Sequence, residues 1–218
     1  MDVELAEKLP SELELALAYT PERLRMKLRS FLAFDQRIAR IVSATTEPML
    51  GQMRLAWWRD VFAKQPTERP TGDVVLEAIG AHWHGEEQAL VDLVDGWEIL
   101  IVSETVAEQE IAQFAKGRGA GFVALDDISG TEKNAVAKAA TQWALADAAA
   151  RISDAKERSR FVAAGMTAGG GHAVLPKPMR GLAVLGGLGR RALKRGGRPL
   201  MEGRGAALIA LRAAILRR

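Results

Sequence analysis

The chain has no cysteine, only one tyrosine and only three histidines among its 218 residues. Without cysteine there is no disulfide, no thiolate metal site and no cysteine nucleophile, so the core must hold by packing alone. Uninterrupted apolar runs of 18 or more residues are missing as well, and no conventional transmembrane helix is expected. The opening MDVELAEKLPSELELA is acidic and has neither a basic n-region nor a small-residue cleavage site, so no export is indicated. The expectation is a cytoplasmic protein that is at most peripheral at the inner membrane. Alternating β-branched runs are scarce, which argues against a sheet.

Acidic residues are nearly absent from one end. Eleven of the 30 basic residues and one of the 27 acidic residues, Glu202, lie after Pro176. The body therefore carries about −7 and the tail about +10. Two readings stand side by side. The tail is a pair of amphipathic basic helices resting on anionic lipid, with Leu208, Leu211 and Ile215 turned to the lipid. Otherwise it supplies the last bundle helices and neutralises the acidic body. Aromatic interleaving and any nucleic-acid-reading motif are absent, so no nucleic-acid partner is expected.

What is abundant is helical periodicity, in a chain that is 48% hydrophobic and long enough for one substantial core. A single domain over 1–218, with a basic helical segment at 176–218, is the expected organisation. A first helix is expected over 3–17, stopped by Thr20-Pro21, and a long second one on Leu24, Leu28, Phe31, Leu32, Ile38, Ile41 and Val42. Thr45-Thr46-Glu47-Pro48 opens a third, with Leu50, Met53, Trp57 and Val61 on one face, ending near Lys64. QPTERPTGD is a loop. Further helices are expected at 73–83, 86–103, 105–129, 132–153, 156–167, 178–195 and 204–217, interrupted by the glycine-rich stretch 164–178.

Several local patterns invite chemistry and fail a spacing test. His82 and His84 point to different faces of a helix and lack a third ligand, so no metal site is expected there. Gly117-Gly119-Gly121 and Gly169-Gly170-Gly171 follow no strand and suit close helix packing and a hinge, not a phosphate loop. Asp126-Asp127, followed by Ser129-Gly130, reads as a solvated helix end. Trp57-Trp58 between Arg54 and Arg59-Asp60 is either core with a cation–π lid or the wall of an apolar pocket.

The segment AFDQRIARIVSATTEPMLGQMRLAWWRDVF carries a resemblance. Ala33-Phe34, Glu47-Pro48, Gly51, Arg54 and Trp57-Trp58-Arg59-Asp60 resemble the squalene/phytoene synthase family, and within it the branch of the mitochondrial complex I assembly factor and its α-proteobacterial relatives. Weaker resemblance continues through Phe114 to Gly119 and Trp143 to Arg151. The resemblance implies an all-α, single-domain antiparallel helical bundle around a central apolar cavity, the isoprenoid synthase fold. Active relatives condense prenyl diphosphates using two aspartate-rich motifs that hold magnesium.

In this sequence the first motif's aspartates fall at Ala39, Arg40 and Ser43, which supply no anionic oxygen. The second motif falls near Asp147, Arg151 and Asp154, at best half present. The resemblance therefore implies a catalytically degenerate protein with no metal and no cofactor, acting as a binding or assembly factor of the respiratory complex I type, with a protein partner at a membrane surface. Two alternatives stay open: an active prenyltransferase using magnesium, or a non-catalytic isoprenoid carrier. On family position and helix spacing, the substrate-binding candidates are Phe34, Arg37, Arg40, Arg54, Trp57 and Trp58. Arg37, Arg40 and Arg54, with Arg151, would hold a diphosphate, and the aromatic side chains would line the remaining pocket.

Overall fold

The computed structural model describes residues 8–103, 105–169 and 174–217. Ten α-helices and no strand are found among them: α1 (Ser11–Tyr19), α2 (Glu22–Ser43), α3 (Pro48–Phe62), α4 (Val74–His82), α5 (Gln88–Val102), α6 (Glu108–Val123), α7 (Gly130–Arg151), α8 (Ala155–Ala168), α9 (Arg180–Lys194) and α10 (Ala206–Leu216). The fold is all-α, as the periodicity requires. None of these helices is long and apolar enough to cross a membrane.

Local chemistry sets the boundaries. Pro10 and Pro21, both extended, precede α1 and α2, and Pro48 occupies the first turn of α3. The Asp73 carboxylate accepts from the Val75 and Leu76 amides, both at 3.0 Å, and so caps α4. Ser129 and Glu132 form a reciprocal capping box at the start of α7, and Asp154 accepts from the Glu157 amide at 2.7 Å to start α8. The turn after α9 uses Gly196 and Gly197 at φ 75° and 78°, a region costly for any side chain.

Two expectations need correcting. The first helix does not run from residue 3 to 17. It begins at Ser11 because Pro10 cannot sit inside a helix, and residues 3–7 lie outside the described residues. The helix expected to reach residue 129 stops at Val123. Part of the expected glycine hinge, Gly170-Gly171, also lies outside the described residues, while Gly169 closes α8.

Helices α5, α6 and α7 form successive antiparallel neighbours, and α7 also packs on α8 and α9. α2 lies against α4 and α5, and α1 against α9. Crossings are close where side chains vanish: a Cβ on Gly117 would stand 2.3 Å from the Asp92 carbonyl oxygen, and one on Gly121 would stand 2.2 Å from the Phe31 ring. The glycine cluster of α6 therefore serves helix packing. Aromatic rings tie the core across helices, Phe34 against Trp58 and Phe62, Phe31 against Trp83 and Phe122, and Trp97 against Phe114.

Candidate functional site

Three helices each carry one charged residue on an otherwise apolar stripe. On α6, Arg118 stands four residues from Phe114 and four from Phe122, all three fully buried. On α2, Asp35 shares the buried face with Phe31, Phe34 and Ile38. On α7, Asp147 follows Trp143 and Ala144. The signs compensate, and the helices bring the three together at the centre of the bundle.

Arg118 Nε and Nη2 donate to the two oxygens of Asp35 at 2.9 and 2.8 Å, a bidentate pair. Arg118 Nη2 also reaches Asp147 Oδ2 at 2.7 Å, and Nη1 donates to the Ala144 carbonyl at 3.3 Å. The guanidinium is sandwiched between indoles, 4.9 Å from the Trp97 centroid and 4.7 Å from that of Trp143. Trp97 Nε1 donates to Asp35 Oδ1 at 2.9 Å and Gln36 Nε2 donates to Asp35 Oδ2 at 3.2 Å, so both Asp35 oxygens are satisfied. At the rim, Arg151 Nη2 and Nε donate to Asp147 at 3.1 and 3.2 Å. Two guanidinium groups and two carboxylates make a charge-neutral set.

Burial alone would push Arg118 towards the neutral form, but Asp35 and Asp147 outweigh it and hold its pKa above the usual arginine value. Burial likewise opposes the Asp147 charge, yet Arg118 and then Arg151 keep its pKa below the ordinary carboxylate value. The centre is charged, buried and internally paired.

The residues at the aspartate-rich motif positions do not fit magnesium. That ion takes near-octahedral oxygens at about 2.0–2.1 Å and keeps several waters. Arg40 and Ser43 are exposed, Ala39 has no donor, and Asp154 is committed to capping α8. Asp147 and Asp35 are aimed at Arg118. Among the described residues no group of three or more histidine, aspartate or glutamate side chains is placed to hold a metal ion.

The six candidate residues stand in different environments. Phe34 and Trp58 are buried in the core, with ring centroids 4.9 Å apart. Arg37 pairs with Asp73, and this guanidinium lowers the Asp73 pKa against the opposing effect of burial. Arg40 and Arg54 are exposed, on α2 and α3. Trp57 leans edge-on against Trp58 but keeps 45% of its surface in solvent. On α3 the inward stripe is Leu55, Trp58, Val61 and Phe62, whereas Met49 (73% exposed), Leu50 and Met53 face out with Trp57. The face expected on Leu50, Met53, Trp57 and Val61 is thus split, with only Val61 turned inward. Arg59 bonds Asp95 at 2.6 Å and also pairs with Glu98, fastening α3 to α5.

A groove of about 810 Å³ runs along α6 between α5 and α7, floored by Gly96, Gly117 and Ala120 and rimmed by Asp92, Lys116 and Lys133. None of the six candidates lines it. His82 and His84 are exposed while Trp83 between them is buried, donating to the Lys27 carbonyl and Ser30 Oγ, each at 3.1 Å. Asp126 is paired with Arg23 at 2.5 Å.

Residues 11–99 match the family model described as squalene/phytoene synthase. That stretch spans α1 to most of α5, holds Asp35 and the tryptophan pair, and ends before Arg118 and Asp147. The match supports kinship with that family over those residues. No curated protein and no solved structure matches the chain.

Proposed function

We propose that this squalene/phytoene synthase-like bundle is a non-catalytic binding or assembly factor working at a membrane surface. The observation that carries the reading is the Arg118 guanidinium lodged between Asp35 and Asp147. Ionising an allylic diphosphate requires several cations fixed around the departing oxygens. Here the inward carboxylates are neutralised by arginine, and every paired donor of Arg118 is already directed at a fixed oxygen. Neither Arg40 nor Arg151 restores a diphosphate cradle, one being on the surface and the other bonded to Asp147.

An assembly role draws support from α3. Met49, Leu50, Met53 and Trp57 form an exposed apolar strip beside Arg54, a composition enriched in protein interfaces. The resemblance of the same segment to the complex I assembly branch implies a respiratory-chain partner.

The test is incubation of the purified protein with farnesyl diphosphate and magnesium, beside an active synthase, with pyrophosphate release as the readout. No release is expected. Magnesium-dependent release that survives in Asp147→Asn would overturn both the reading and the assignment of the centre. In parallel, Trp57→Ala and Met53→Ser should abolish co-purification of complex I subunits from membranes while lowering the Tm by no more than about 4 °C. Retention of those subunits by both variants would refute the α3 interface.

A further inference from the structure

The basic tail contains a cleft. Helices α9 and α10 run antiparallel and approach closely at Gly187, where a Cβ would stand 2.7 Å from that of Ala213. Around this contact they form an open cleft of about 530 Å³, lined by Arg190, Arg191, Lys194, Arg195 and Arg212 with Ile209 and Leu216. Five cations converge there, and the carboxylate paired nearby is Glu202, held by Arg195 at 3.2 Å and Arg198 at 3.3 Å. Among the described residues the ion pairs of the tail stay within the tail, so its charge is not spent on the acidic body.

Arg190 is the informative member. It is half-buried, its Nε has no hydrogen-bond partner, and no carboxylate is paired with it. Burial pushes its pKa below the usual arginine value with nothing to offset it. A half-buried guanidinium whose Nε lacks a partner gains from an anion placed beside it. Phosphate suits it, because guanidinium pairs bidentately with phosphate oxygens.

Next to the cleft lies an apolar edge. At 100° per residue, Leu208, Leu211 and Ile215 form one stripe on α10, and Arg212 stands between that stripe and the cleft-lining Ile209 and Leu216. The stripe is open to solvent, with Leu208 69% and Ile215 67% exposed, while Ala206, Ala210, Ala213 and Ala214 make the buried face. A cationic phosphate cradle flanked by exposed aliphatic side chains is complementary to one surface in particular.

We propose that the α9–α10 cleft seats the phosphate of an anionic phospholipid headgroup, with Leu208, Leu211 and Ile215 entering the acyl boundary beside it. This deepens the peripheral-membrane part of the function proposed above and is independent of whether the bundle centre is catalytic. The cradle gives lipid-charge selectivity, and the stripe gives insertion.

The experiment is co-sedimentation of the full chain with vesicles of phosphatidylcholine alone, or with about one third phosphatidylglycerol. Strong binding to the anionic vesicles and little to the neutral ones is expected. Arg190→Gln and Arg212→Gln should each lower the affinity about fivefold, and Leu211→Ser about tenfold. Arg212 and Leu211 are exposed, so these variants should keep the wild-type Tm and separate binding from folding. Arg25→Gln, outside the tail, should weaken binding least.

Equal binding to neutral vesicles would overturn the headgroup role. Wild-type binding by both arginine variants would overturn the cradle. Occupancy by inorganic phosphate, seen as a Tm rise at millimolar concentrations without any vesicle binding, would identify a soluble phosphate ligand and overturn the membrane assignment. Each of these results leaves the pyrophosphate assay unaffected, so failure here is distinguishable from failure of the non-catalytic reading.

Discussion

Replacing Arg118 by methionine probes the centre most sharply. Methionine keeps an unbranched apolar stem between Trp97 and Trp143 but leaves Asp35 and Asp147 without the shared guanidinium. Asp147 retains Arg151, whereas Asp35 retains only the Trp97 and Gln36 donors. Breaking a buried pair from one side typically costs about 3–5 kcal/mol. Urea unfolding should therefore show Arg118→Met destabilised by about 4 kcal/mol at pH 7. Adding Asp35→Asn, which removes the unpaired charge, should recover much of the loss. A penalty under about 1 kcal/mol, or no recovery in the double variant, would refute the claim that Arg118 is there to balance charge.

Asp147 has a folded pKa below its unfolded value, so its contribution to stability is complete above about pH 4 and is lost as pH falls through the folded pKa. Acid titration of the Tm should show this loss, and Asp147→Asn should flatten the curve. Gly117→Ala forces α5 and α6 apart, because the new Cβ meets backbone of Asp92 and Gly96; a loss of about 1–3 kcal/mol is expected in chemical denaturation, against no loss for Gly130→Ala, which meets nothing. Trp58→Ala should cost about 3–5 kcal/mol as a core truncation. Its neighbour Trp57→Ala should cost about 1 kcal/mol or less, and equal costs would mean that the exposed strip of α3 is covered in solution.

The helices were legible because apolar spacing and punctuation agree at most boundaries, as at Pro21, Pro48 and the Ser129 cap. Pro10 is the exception, a visible breaker set inside an expected helix. The inward face of α3 was not legible for a different reason. Leu50, Met53 and Trp57 repeat with the same step as Leu55, Trp58 and Phe62, so the helix is apolar on two sides and periodicity cannot choose between them. Arg118 was masked by Gly117, Gly119 and Gly121, whose spacing points to helix packing and says nothing of the charge set among them. The signal that identifies it is its place on the Phe114–Phe122 stripe, where a lone cation needs buried anions. Asp35 and Asp147 stand on comparable stripes with the opposite sign. Pairing across distant helices is a tertiary fact, and no local pattern within any one of them states it.

The same pairing explains why the aspartates can be present without the chemistry they would suggest. A guanidinium and a magnesium ion both offset buried carboxylates, but they differ in what remains available afterwards. Magnesium keeps coordination positions that a diphosphate oxygen can enter. Arg118 spends its donors on Asp35, Asp147 and the Ala144 carbonyl, and both its faces are covered by indoles. With Arg151 completing neutrality at the rim, an arriving diphosphate would meet two buried negative charges already balanced and no uncommitted cation at the centre. A cluster of cations lies elsewhere, between α9 and α10, where Arg190, Lys194 and Arg212 have no acidic partner among the described residues. The attraction of this protein for phosphate is therefore expected at its surface, beside an apolar edge, and not in the buried interior where a prenyl diphosphate would have to ionise.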